Sequence, residues 1–484
     1  MKPAYCITRV PLYLLLLALM ACQPTALSPT PPVEQPPSAA SLPRNAPSPT
    51  ATSLPGSPPS PIAPATPTVS PEPGFTSGIA SLDSTAKLRI MDLAATQDGG
   101  FVAVGQYWPA DNNTRAWLLK FNPRGEIEWQ RTYDGERSEL GSSVAALRNG
   151  DYLFAGITRS FGLDANGFAV RVDEDGDVIW QKYFGVDGVV TILQAVEAPN
   201  GEIAIGGETE AFENGFPGWW VAMLKPDGAI SWSASIHRGF YDLLHGIAVS
   251  GENELVIIGD TASSLSGPWE STVIRMDLNG RPIADSLYAA GGEAYSRASV
   301  LNGQGNTIFV TQFRNGLVSG LLVVDPAGEI LWERRYKAQE PRSMILTRDG
   351  AYVLGGRFSG GGERYGWLMK VDPDGEVLWS HRYDAARSID AVIETASGAL
   401  VAVGHTDEPS SDYGPVMFFL TAAGQVPGCA DISPLTISYG EADDAVSVSE
   451  AAHRIRPIVM FSEDIAFSLA ESNITPGFLC QGSR

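Results

Sequence analysis

The chain has 484 residues, enough for about three average domains or for one large array of repeats. With 55 acidic against 33 basic side chains its net charge is −22, which argues against nucleic acid or anionic lipid headgroups as partners. Apolar residues make up 44% of it, enough to fill a core and too many for a wholly disordered chain.

The first residues read as an export signal. Lys2 and Arg9 form a short basic segment ahead of the apolar run from Pro11 to Ala21, which is too short to span a bilayer comfortably. The run ends Leu19-Met20-Ala21-Cys22 and resembles a bacterial lipobox. Residues 1–21 are therefore expected to be a lipoprotein signal peptide, with Cys22 the site of lipid attachment to a membrane. Ordinary secretory cleavage near Ala21 and an uncleaved anchor are the alternatives; all have the protein exported, and the expected place is a bacterial cell surface or the periplasm. Cys429 and Cys480 then remain, and an even pair in an oxidising compartment reads as one disulfide, two buried thiols being the alternative.

Residues 22–73 are expected to form a disordered linker. Seventeen of the 35 prolines lie between 23 and 74, where only Glu34, Arg44 and Glu72 are charged. Such a stretch cannot bury enough apolar surface to offset its ordering entropy. At about 3.1 Å per residue in polyproline II it would reach on the order of 150 Å, a tether length.

Residues 74–429 carry one pattern seven times. Its line runs Asn122-Pro-Arg-Gly125-Glu-Ile-Glu-Trp129 and returns as Asp173-Glu-Asp-Gly176-Asp-Val-Ile-Trp180 and Lys225-Pro-Asp-Gly228-Ala-Ile-Ser-Trp232. A degenerate copy holds Gly280; Asp325-Pro-Ala-Gly328-Glu-Ile-Leu-Trp332 and Asp372-Pro-Asp-Gly375-Glu-Val-Leu-Trp379 restore the line, and the copy with Gly424 lacks the Trp. The glycines are 51, 52, 52, 48, 47 and 49 residues apart. A period near fifty in strand-like sequence predicts a seven-bladed, all-β propeller of four-stranded antiparallel blades. In the second repeat the strands fall near 144–148, 152–158, 167–172 and 177–184, with Gly176 at the left-handed position of the last hairpin turn. Trp180 is expected to pack against the next blade. Gly105, Gly156, Gly206, Gly259, Gly355 and Gly404, late in the second strands, are expected where backbones approach near the axis.

The line resembles the tryptophan-docking repeats of quinoprotein-type (PQQ-like) β-propellers. That family includes quinone-dependent dehydrogenases and a lipid-anchored scaffold of outer-membrane barrel assembly. Here Arg171, Val323 and Lys370 stand where the family motif has Ala, and Asp175, Ala327 and Asp374 stand where it has Thr. No adjacent cysteines of the kind that line the quinone pocket are present, and there are seven repeats in place of eight. The resemblance thus implies the fold and not quinone chemistry, and no cofactor is expected.

No metal is expected either. His237, His245, His381, His405 and His453 lack ligand spacing, and the alternating Asp173, Asp175 and Asp177 read as a solvated turn. Residues 430–484 are read as a C-terminal β appendage, pinned by Cys429–Cys480 so that a strand from Ile455 to Phe461 packs on the final blade. Either that appendage or residues 74–82 is expected to complete blade seven, whose own outer strand is degraded at Val426-Pro-Gly.

Function is expected on one face. The turns inside hairpins are tight, whereas the alternating connections are longer and repeat aromatic and guanidinium groups. Candidate ligand-binding residues are Tyr107, Trp108, Tyr133, Arg137, Tyr241, Tyr295, Arg297, Tyr383 and Arg387, residue types that supply binding energy. The competing reading makes the same groups inter-blade struts. The expectation is a monomeric, surface-anchored binding or scaffolding propeller for protein or glycan. Its alternatives are an extracytoplasmic lyase, hydrolase or lactonase-like enzyme with its site in the funnel, and an architectural spacer of the envelope.

Overall fold

The computed structural model describes residues 77–481 apart from short breaks, the longest at 211–215, 407–413 and 441–446. The expected signal peptide, Cys22 and the expected proline-rich linker lie outside the described residues, as does His453. Seven antiparallel sheets form the blades of a seven-bladed propeller. Their innermost strands, Lys87–Ala95, Glu139–Ala146, Gln194–Glu197, Tyr241–Val249, Ala294–Leu301, Pro341–Leu346 and Ser388–Glu394, touch in succession, and the last touches the first. The second and third strands of each blade are buried almost end to end, as in Tyr152–Thr158 and Gly218–Leu224, because neighbouring blades cover both faces.

The recurring line locks each blade to the next. In the turn at Asp173, the carboxylate accepts the N–H groups of Asp175 and Asp177, and Gly176 takes the left-handed conformation at φ 82°. Trp129 lies against that glycine and donates Nε1–H to the Glu174 carbonyl at 2.9 Å; Trp180 and Trp232 repeat the contact at Pro226 and Leu278. Four residues past the Trp position, Tyr288, Tyr336 and Tyr383 donate their hydroxyls to the carbonyls of Gly328, Gly375 and Gly424. Cations two residues before four of the turns brace the same region. Lys120, Arg171, Arg275 and Lys370 pair with Asp98, Asp151, Glu254 and Asp349 of the first hairpins.

Blade 7 is assembled from three parts of the chain. The seventh repeat supplies Ser388–Glu394, Leu400–His405 and Pro415–Leu420, and Gly78–Asp83 pairs antiparallel to the last of these as fourth strand. Thr475–Gln481 then pairs with Gly78–Asp83 from the outside, so the N-terminal segment and the appendage both complete the blade. Ile79, Ala80 and Leu82 fill the core there.

The appendage does not pack on the final blade alone, and residues 455–461 are not one strand. Ile432–Pro434 joins blade 6, Tyr439–Gly440 blade 5, Ser447–Glu450 blade 4, Arg454–Pro457 blade 3, Phe461–Asp464 blade 2 and Ser468–Glu471 blade 1, before Thr475–Gln481 reaches blade 7. Each four-stranded blade thus gains a fifth, outermost strand from one continuous belt. Sheet twist explains how one segment serves all seven. At about 20–25° per strand, the fifth strand lies nearly at right angles to the first and runs around the rim. Pairing antiparallel to the outer strands makes the belt travel backwards through the blades. The Cys429–Cys480 disulfide, with 6.0 Å between Cα atoms, joins the start of the belt to its end.

Candidate functional site

The innermost strands leave the blade-to-blade links on the loop-rich face, and a β-bulge interrupts six of the seven pairings soon after. Register shifts leave Met91, Ser142, His245, Arg297, Arg342 and Asp390 as extra residues, and Leu193 holds the equivalent place in blade 3. A bulge re-aims the extra side chain. All seven are partly exposed while neighbours such as Ile90, Leu244, Ser296 and Ile389 are buried, so the seven ring the axial mouth. The ring is lopsided: blades 1–3 contribute Met, Ser and Leu, and blades 4–7 contribute His, Arg, Arg and Asp. The bulge also accounts for the crowded glycines. A Cβ on Gly156 would lie 1.9 Å from the Leu140 carbonyl oxygen; in blades 3 and 6 the abutting residue is Gly207 or Gly356, one place after the Gly206 and Gly355 expected from sequence.

The charged half of the mouth is a hydrogen-bonded network. Asp260 accepts the Ser296 N–H at 2.9 Å, the Ser271 hydroxyl at 3.1 Å and His245 Nε2 at 2.8 Å. Asp390 contacts His405 Nδ1 at 2.5 Å and the Ser388 hydroxyl at 2.8 Å. Burial works to raise the Asp390 carboxyl, but the hydrogen bond and charge of His405, with Arg342 and Arg89, hold it well below the usual carboxylate range. Neither Ser–His–Asp group has the geometry of a nucleophilic relay, which needs serine and carboxylate on opposite ring nitrogens. Ser388 and Asp390 both meet His405 at Nδ1, and Ser271 bonds to Asp260 itself. Among the described residues no cluster of three or more His, Cys, Asp or Glu is placed to hold a metal ion.

Beside this mouth lies a track of aromatic rings on blades 3–5. The Phe216 ring lies tilted 4.0 Å from Phe240 and edge-on 5.0 Å from Tyr241; Tyr241 lies 6.2 Å from Trp269, and Trp269 lies 5.7 Å from Tyr295. Arg297 ends the track, its guanidinium 5.5 Å from the Tyr295 ring. All six side chains are partly exposed. The links that carry them are fixed from below: His237 pairs with buried Asp242 at 2.8 Å, and Arg238 with Glu270 at 3.5 Å.

The nine sequence candidates thus separate. Tyr241, Tyr295 and Arg297 come together. Tyr133 and Tyr383 are fully buried on outer strands, Tyr133 with its ring 4.5 Å from Phe154 of blade 2, so they present no surface to a ligand. Tyr107 packs on the core between blades 7 and 1, and Trp108 ends the second strand of blade 1, partly exposed. Arg137 is exposed, with its backbone N–H on the Ser160 hydroxyl, and Arg387 donates Nη1–H to the Arg364 carbonyl. Sequence reasoning missed Phe240, Trp269 and Arg342. Trp269 carries a signal, being a tryptophan outside the repeating line; Arg342 carries none, because a bulge offset is visible only in the strand register.

Two further acids sit at blade joints near the axis. Burial raises Asp92 to about 6 and Glu208 to about 7, against the hydrogen bonds they accept from the Val144 and Leu244 N–H groups. Both folded-state values lie above those of the unfolded chain. The stability they lend is therefore fully present below about pH 4 and lost as pH rises through 6 to 7. Glu208→Gln is expected to melt close to the parent at pH 5 and about 3 °C above it at pH 8. Equal melting of the two proteins at both pH values would contradict this.

No protein-family model matches the chain, and no curated protein does. Solved structures similar to it include a protein of unknown function from Bacteroides caccae, at 12% identity over 65% of this chain and 97% of that one, TM-score 0.38. The Dos1 propeller is similar at 8% identity over 71% and 96%, TM-score 0.44. A puromycin hydrolase is similar at 17% identity, 72% of this chain covering 52% of that one, TM-score 0.43. None of these likenesses transfers an activity. The strand order itself defines the chain as a seven-bladed β-propeller.

Proposed function

We propose that this is a lipid-anchored, extracytoplasmic binding propeller that takes up a glycan on its loop-rich face. The observation that carries the reading is the aromatic track Phe216–Phe240–Tyr241–Trp269–Tyr295, partly exposed, on links held by the His237–Asp242 and Arg238–Glu270 contacts. Pyranose rings offer flat C–H faces to such side chains and hydroxyls to their polar edges, and rigid aromatic groups lose little entropy on contact. The lipobox-like run ending at Cys22 supports the anchor, and residues 22–73 have the composition of a tether that would hold the propeller off the membrane. On a glycan array the full chain is expected to give signals that Trp269→Ala and Tyr241→Ala each lower about tenfold, with melting temperatures within about 2 °C of the parent. A silent array, with a protein captured through the same rings, would replace glycan by protein as the ligand. Variants that melt earlier yet bind unchanged would make the rings struts.

A further inference from the structure

The axial mouth holds more donor capacity than its carboxylates use. Asp260 is taken up by Ser296, Ser271 and His245, Asp390 by His405 and Ser388, and Glu340 by Arg357, whose Nε lies 3.0 Å away. Arg297 gives Nε–H to Gln312 at 3.1 Å. Arg342 forms an ion pair with Asp390 through Nη1 at 3.6 Å, beyond hydrogen-bond length, and its Nε is buried with no hydrogen-bond partner. The two guanidinium groups occupy equivalent bulge positions on the adjacent inner strands Ala294–Leu301 and Pro341–Leu346, and the charge of Arg342 acts on Arg297 together with those of Asp260 and Glu340. Like charges held together with unused donors favour an anion between them, and the planar fork of arginine matches a carboxylate. A third of the Arg342 side chain, 33%, remains open to solvent. The chain's net charge of −22 does not forbid this, since salt screens distant charges over about 8–10 Å.

We propose that Arg297 and Arg342 form a subsite for the carboxylate of an acidic sugar whose ring stacks on Tyr295 and Trp269. This rests on the glycan reading above and adds the chemical class of the glycan. Isothermal titration of the full chain with an oligogalacturonate and with its methyl ester tests it. The acid is expected to bind about tenfold more tightly than the ester, and added salt to shrink that preference. Arg342→Met and Arg297→Gln should each lower acid affinity about tenfold and ester affinity less than about threefold, while Trp269→Ala should weaken both forms alike. Two variants are used so that one failing to fold leaves the other to decide. Equal binding of acid and ester, or a preference unmoved by either arginine variant, would overturn the subsite while leaving the glycan reading intact. No binding of any saccharide, acidic or neutral, would overturn both.

Discussion

Reduction of the Cys429–Cys480 bond is expected to lower the melting temperature by about 5 °C. The bond closes a loop of 51 residues, and cross-linking a loop of that size is worth about 4 kcal/mol in the chain-entropy model. At about 2.1 cal/mol/K of unfolding entropy per residue over about 400 residues, that becomes about 5 °C. The position of the bond adds a second consequence. The belt supplies the outermost strand of all seven blades, and its ends meet only at blade 7. Opened there, it can peel from the Thr475–Gln481 end, baring the unpaired edges of strands such as Gly78–Asp83 and Ile127–Asp134. Cys480→Ser should therefore melt earlier and also exchange amide hydrogens faster along the belt and the strands beneath it. A variant that melts with the parent would show that the bond constrains nothing.

Gly156→Ala is expected to cost about 3 kcal/mol or more. Its Cβ would meet the Leu140 carbonyl oxygen at 1.9 Å and Gly141 Cα at 3.1 Å, both backbone atoms with no rotamer to yield. The inner strand would have to shift, and the bulge that aims Ser142 with it. Gly201 supplies the control. It has φ +82° but nothing within 4 Å of an added Cβ, so Gly201→Ala carries only the left-handed strain of about 1 kcal/mol. Urea denaturation of the two variants should differ by about 2 kcal/mol. Equal losses would mean that the crowding beside the axis is relieved without cost.

The blades were legible in the sequence because one line encodes both halves of a contact. A turn glycine that needs positive φ and a tryptophan four residues later recur together, and each Trp finds the next blade's glycine. The degraded end at Val426-Pro-Gly likewise pointed to a borrowed strand in blade 7. The belt was not read as a belt. Its strands are two to seven residues long and held through backbone pairing, so their side chains carry little pattern. A weak signal exists: the strands start at 432, 439, 447, 454, 461, 468 and 475, steps of seven or eight residues, with Val446, Met460, Phe467 and Ile474 in phase. Seven extended residues cover about 23 Å. At the proposed site, aromatic and arginine content pointed to the face that carries the ring track, yet Tyr133 and Tyr383 read the same as Tyr241 and Tyr295. A strand's inward or outward sense at a link depends on register, and a shift of one residue reverses it.

Hydrogen exchange of the full chain with and without a bound oligosaccharide tests most directly whether the loop-rich face of blades 3–5 is the working surface. Slower exchange confined to residues 237–242, 267–270 and 294–297, with the arginine strand Pro341–Leu346, is the predicted result. Protection at the tight turns of the opposite face, around 122–126, 173–177 and 225–229, or along the belt from 432 to 481, would contradict it.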